Sequence, residues 1–216
     1  MGDLKYIAFL AALYLFFKFG PARLINRVIM FFLGKSGLED VGRKALAQQP
    51  DRISLVPGPS PIRPEAMNAV SSLERRGFER AGSFVIPEMK GVNLHLMVKT
   101  ADRVVAVVYE HVQAGVWADV SCRYEDGTSF TISSARAGNA LEQRPGHPMV
   151  KAPGQPPAML AMRVTTERPA GALKAVAASD FARLFEQVYE ESTAWRKNKG
   201  LSAEEVKGSG LERISA

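Results

Sequence analysis

Three histidines, His95, His111 and His147, are the only imidazoles in the 216-residue chain, and no two stand at metal-ligating spacing. Asp119 or Glu110 would have to join them through the fold to complete a site, so no metal and no cofactor are expected. Cys122 is the single cysteine, which excludes an internal disulfide. It alternates with Val120 and Tyr124 on a strand pattern, as expected of a core thiol rather than an exposed, activated nucleophile. The chain has no GxSxG elbow, phosphate-binding Gly-rich loop, HExxH helix or CxxC pair. No catalytic residue is assigned.

The richest set of chemical groups lies on alternating positions. Trp117, Asp119, Ser121 and Arg123 share one face of a predicted strand, and Ser129, Thr131 and Ser133 return beside them. His95 and Met97 are expected on the same mixed face, and His111 is counted with them. An aromatic ring, a carboxylate, a guanidinium and hydroxyls suit recognition of a small polar ligand or a partner protein. The binding candidates are therefore Trp117, Asp119, Arg123, His95, His111 and Thr131.

The elements that must position them follow from periodicity. Residues 65–76 carry a helical stripe of Ala66, Ala69, Val70 and Leu73, with Pro64 at the start and Gly77 at the stop. Strand patterns follow at 83–87, 92–99, 103–112, 116–124 and 129–133, and Glu125-Asp126-Gly127 makes a hairpin turn. Their short connections predict an antiparallel meander of about five strands. Residues 136–157 read as loop and 158–167 as helix. A long helix over 180–198 presents Phe181, Leu184, Phe185, Val188 and Trp195 to the sheet. Ser202 and Glu205 have capping-box spacing at the start of a last short helix. The fold class is α+β.

The N-terminus differs from all of this. Tyr6 to Phe17 is an uninterrupted apolar run bounded by Lys5 and Lys18, about 18 Å long as a helix against a hydrocarbon core of roughly 30 Å. Gly20-Pro21 interrupts it, and a second apolar stripe over 24–33 opposes Arg23, Asn26 and Arg27. A cleaved signal peptide lacks its small-residue cleavage site here, and a pair of buried core helices has no need of an all-round apolar surface. The expected element is a membrane anchor, spanning or monotopic, that touches lipid through Tyr6, Phe9, Phe16, Phe17, Lys18, Arg23 and Arg27. The basic residues follow the apolar run, so the positive-inside rule puts the rest of the chain on the cytoplasmic side.

Charge agrees with that division. Residues 1–64 hold nine Lys or Arg against four acids, and the remaining 152 hold 19 against 18. The net charge of +6 therefore belongs to the N-terminal part, not to a folded basic patch, and nucleic acid is not an expected partner. The domains are read as an anchor over 1–37, a Pro-rich linker over 38–64, an α+β domain over 65–200, and a short helix and tail over 201–216. Five prolines in residues 50–64 suggest a semi-rigid spacer. The expected function is a membrane-tethered, non-catalytic accessory or interaction subunit of a larger membrane assembly, with membrane lipid and other subunits as partners. A small-ligand or lipid-binding domain using the mixed sheet face is the alternative. A hydrolase-like enzyme drawing on His and Asp is the third reading.

Overall fold

The computed structural model describes residues 37–136 and 141–209. The apolar segment and its lipid-facing residues lie outside these. Among the described residues no helix is long and apolar enough to cross a membrane.

The architecture is α+β, built on one mostly antiparallel sheet. Five strands form a meander at its centre: β2 (Glu79–Val85), β3 (Val92–Lys99), β4 (Val104–His111), β5 (Gly115–Tyr124) and β6 (Ser129–Ser133). Two-residue β1 (Val56–Pro57) pairs with β2, and β7 (Met149–Lys151) runs parallel to β6. A two-residue strand β8 (Leu173–Lys174) pairs with the end of β5. In the β5–β6 hairpin, Gly127 takes φ of 87° and Asp126 accepts the N–H and hydroxyl of Thr128, so the turn is set by a residue that tolerates left-handed backbone.

Both faces of the sheet are covered. Helix α2 (Pro64–Glu74) and helix α3 (Pro157–Glu167) lie on one face. There Ala66, Val70, Leu73, Leu160 and Val164 bury Met97, Ala106, Val108, Ala118, Val120 and Cys122. Helix α4 (Ala178–Lys199) lies on the other, where Phe181, Leu184 and Phe185 pack on Leu94, Leu96, Val98, Val105 and Val107. Its N-cap is Ala177, without a side-chain cap. Strand β4 is buried on both sides from Val104 to Val108, which explains its continuous apolar sequence.

The proline-rich stretch expected to be a spacer is instead a strap laid along the domain. Ile53 is buried and Leu55 packs beside it against the α4 face. The strap's N–H groups find carboxylates: Ser54 N–H donates to Glu88 (3.2 Å) and Leu55 N–H to Glu186 (2.6 Å). Arg52 pairs with Glu190, and Gly58 N–H donates to Ser83 C=O. Proline density fixes extended backbone, and extended backbone also suits a sheet edge, where the missing N–H costs little. The apolar residues between the prolines decide which occurs.

Helix α1 (residues 37–48) precedes the strap, and helix α5 (Ala203–Ser209) follows α4. They make a third cluster in which Leu38 and Leu46 meet Leu201, Ala203 and Val206. The capping box forms as the spacing predicts: Ser202 N–H donates to Glu205 Oε2 (2.9 Å), and Glu205 N–H donates to Ser202 Oγ (3.2 Å).

Candidate functional site

The sheet register divides the candidates between two faces. Asp119 pairs with Ser133, Ser121 with Thr131 and Arg123 with Ser129, so these six side chains share a face. His95 does not join them. It pairs with Val108 and Ser83 on the opposite face, as does Met97 with Ala106. Leu94, Leu96 and Val98 are the β3 residues that share the face of Asp119.

The first candidate location is a cleft of about 710 Å³ between this polar part of the sheet and the C-terminal half of α4. Ser129, Thr131, Met149 and Lys151 line its floor, and Val188, Tyr189, Ser192 and Trp195 line the helix side. Leu46 of α1, Gln49 just after it and Leu201 close one end. The loop before β7 adds Leu141, Arg144 and His147. Apolar walls with a few convergent polar groups are the usual composition of a small-ligand site.

The polar groups have unequal partners. His147 Nδ1 lies 2.9 Å from Ser129 Oγ. Its pKa is lowered by burial and by the neighbouring Arg144 and Arg123, so the ring favours its neutral form. Arg144 pairs with Glu191 at 3.2 Å, and Gln187 also holds that carboxylate. The Arg123 guanidinium makes no hydrogen bond or ion pair among the described residues, and its Nε is shut off from solvent. Burial lowers its pKa, against the charge of Glu191. Asp119 Oδ1 is likewise shut off and unbonded. Burial raises the Asp119 pKa, opposed by the Ser133 hydroxyl, Lys151 and the Tyr109 hydroxyl.

Trp117 stands on the same face but away from the cleft. It is six residues along β5 from Arg123, about 20 Å at strand rise. Its ring stacks on Tyr109, with centroids 4.8 Å apart and planes 6° from parallel, and Tyr109 in turn meets Phe185 of α4 at 6.5 Å. Trp117 also borders a smaller cleft of about 480 Å³ with Glu65, Gly115 and Pro157. His111 is at the far end of β4, where its Nδ1 accepts the N–H groups of Gln113 (3.0 Å) and Ala114 (2.9 Å) and so caps the β4–β5 turn. Of the six candidates, Thr131 lines the cleft, with Arg123 and Asp119 on the same polar face. Trp117, His111 and His95 stand elsewhere.

A second constellation surrounds His95. Ser83 Oγ lies 2.9 Å from its Nδ1, and Glu110 Oε2 lies 3.4 Å from its Nε2. A serine, an imidazole and a carboxylate in line resemble a relay for nucleophilic attack. Two features assign it to structure instead. His95 is only 3% exposed, and Glu110 already receives the N–H groups of Ile62 (3.2 Å) and Arg63 (2.9 Å), which lead into α2. The pairing of Ser83 with His95 depends on the β2–β3 register and its bulge between Arg80 and Gly82, which no local motif reveals. Among the described residues no group of three or more His, Cys, Asp or Glu is placed to hold a metal ion. The cleft residues that sequence reasoning missed are His147, Arg144 and Lys151, each from a stretch read as loop.

No family model, curated protein or solved structure matches the chain.

Proposed function

We propose that the protein is a membrane-tethered, non-catalytic accessory module whose α+β domain recognises other components at the membrane surface. The observation that carries this reading is the docking of α1. Its Leu38 is 1% exposed against α5, and in the sequence it stands only five positions after Leu33, the end of the apolar segment. An anchor attached through so short a link holds the domain against the bilayer, where its exposed residues meet other membrane proteins. The N-terminal segment acts as the membrane helix or helix pair, and the domain lies on the cytoplasmic side by the positive-inside rule. Ile62 and Val112, each 64% exposed and joined through the Arg63 side chain hydrogen-bonded to Val112 C=O, offer an apolar contact point.

The test is purification of the full chain from native membranes in mild detergent. A constant set of membrane proteins in stoichiometric amounts is expected, and Ile62→Asp with Val112→Asp is expected to release them. Recovery of the protein without any partner would overturn the accessory reading. The cleft favours a second reading, binding of a small ligand or lipid on the polar sheet face. The Ser83–His95–Glu110 line does not favour an enzyme, since its carboxylate is occupied by the strap.

A further inference from the structure

Two cations that make no direct ion pair stand at the cleft beneath α4: Lys151 in its lining, and Arg123 on the same sheet face beside it. Arg123 stands beside Ser129 in register, and Lys151 stands beside Ser133. Neither side chain makes an ion pair or hydrogen bond among the described residues. The nearby acids are otherwise engaged: Glu191 holds Arg144 at 3.2 Å, and Glu142 holds Lys199 at 3.1 Å. Asp119, on the β5 side of Ser133, is the remaining acid near Lys151. Between Arg123 and Lys151 lie the hydroxyls of Ser129 and Thr131, with His147 against Ser129. A half-buried guanidinium without an acceptor is unfavourable, and an anion seated there removes that cost.

The remaining lining mixes polar residues such as Gln49, Gln143 and Ser192 with an apolar stretch. Leu46, Leu141, Val188, Trp195 and Leu201 line the side toward α1 and α5. A charged group alone has no use for these walls, and a hydrocarbon alone has none for the floor. We propose that the cleft binds a small amphiphilic anion, with a phosphate or carboxylate head at Arg123, Lys151 and the Ser129 and Thr131 hydroxyls, and an alkyl chain along α4 toward Leu46 and Leu201. This rests on the second reading above, that the cleft is a ligand site. The apolar end is built partly from α1, the helix that directly follows the hydrophobic segment, so a lipid of the same bilayer and a free amphiphile are both sources of this chemistry.

The chain has two tryptophans, and Trp117→Phe leaves Trp195 in the cleft as the sole indole reporter. Full-length protein with that change, in neutral maltoside micelles, is titrated with hexyl phosphate, hexanol and inorganic phosphate while Trp195 emission is followed. Saturable binding of hexyl phosphate is expected, with inorganic phosphate weaker by about tenfold or more and no saturation by hexanol. Arg123→Gln and Lys151→Gln should each weaken hexyl phosphate about tenfold, the loss of one charge-assisted contact. Lys151, at the sheet margin, keeps the test valid if Arg123→Gln lowers thermal stability. Equal binding of hexanol and hexyl phosphate, indifferent to both substitutions, would overturn the anion and leave the ligand site standing. Equal binding of inorganic and hexyl phosphate would overturn the amphiphile. Absence of saturation by all three would overturn the ligand site as well. In phosphatidylcholine nanodiscs, added phosphatidic acid that displaces hexyl phosphate assigns the head to a bilayer lipid; undiminished hexyl phosphate binding assigns it to a free amphiphile, and either supports the shared chemistry.

Discussion

One carboxylate, Glu110, ties three parts of the molecule together. It accepts the N–H groups of Ile62 and Arg63 where the strap enters α2, and it faces the buried ring of His95. A carboxylate at a helix start also meets the positive end of the helix dipole. Glu110→Gln keeps the shape but puts an amide NH₂ where one acceptor stood, leaving a buried N–H unsatisfied. It should cost about 1–3 kcal/mol in urea unfolding. A cost near zero would mean that the strap is held by its apolar residues alone. His95 adds a pH dependence of known sign. Burial lowers its pKa below the ordinary 6.5, partly offset by its hydrogen bond and charge interaction with Glu110. The folded protein then resists a proton that the unfolded chain accepts. This contribution is fully present above about pH 6.5 and is lost as pH falls toward the lowered folded value. The urea midpoint should decline over that window, and His95→Gln should flatten the decline; His147, lowered in the same direction, accounts for what remains.

Among the elements, the α1–α5 contact gives a prediction in which packing reverses propensity. Gly42 lies in the middle of α1, where alanine would favour helix by about 1 kcal/mol. A Cβ there would stand 2.9 Å from Val206 Cγ2 and 3.0 Å from Leu201 Cβ. Gly42→Ala should therefore destabilise by about 1–3 kcal/mol, through overpacking. Val206→Ala in the same chain should recover part of that loss, which a double-mutant cycle measures. At this scale the sequence was legible where periodicity was unambiguous. The central meander, α2, α3 and the capping box of α5 are read directly from alternation, helical stripes and cap residues. Which residues of β3 and β5 share a face was not legible, because β4 is apolar at every position from Val104 to Val108 and carries no parity from one neighbour to the other. His95 was thereby assigned to the wrong face. Strand β7 was hidden for a related reason: three residues pairing in parallel after a Pro- and Gly-rich loop show no alternation of their own. The cleft residues His147 and Lys151 were hidden with it.

For the whole molecule the question is where the folded unit begins. Alternation and composition place its start near residue 65, but the contacts place it at α1. Leu38 and Leu46 cover Leu201, Ala203 and Val206. Lys197 Nζ donates to Gln49 C=O (2.6 Å), and the Tyr189 hydroxyl donates to Pro50 C=O (3.1 Å). Two truncations separate these boundaries. A chain starting at residue 37 retains every one of these contacts and should unfold in a single cooperative transition. A chain starting at residue 50 loses α1, bares the apolar side of α5 and takes away two buried leucines. Each such leucine is worth about 2–5 kcal/mol when truncated in a packed core. Its urea midpoint should be lower, and residues 201–209 should become the first site of proteolysis. The acid limb of the same experiment checks the cause. Burial works against the Glu205 charge, but the Lys199 ammonium and the N–H groups of Ser202 and Glu142 bring its pKa from 4.5 to about 2. The stability it contributes is full above about pH 4.5 and is lost as pH falls toward 2. If α1 is what keeps this end of the molecule assembled, the shorter chain should lose much of that acid dependence together with its stability. Equal midpoints for the two chains would instead show α1 to be an appendage and return the domain boundary to residue 65.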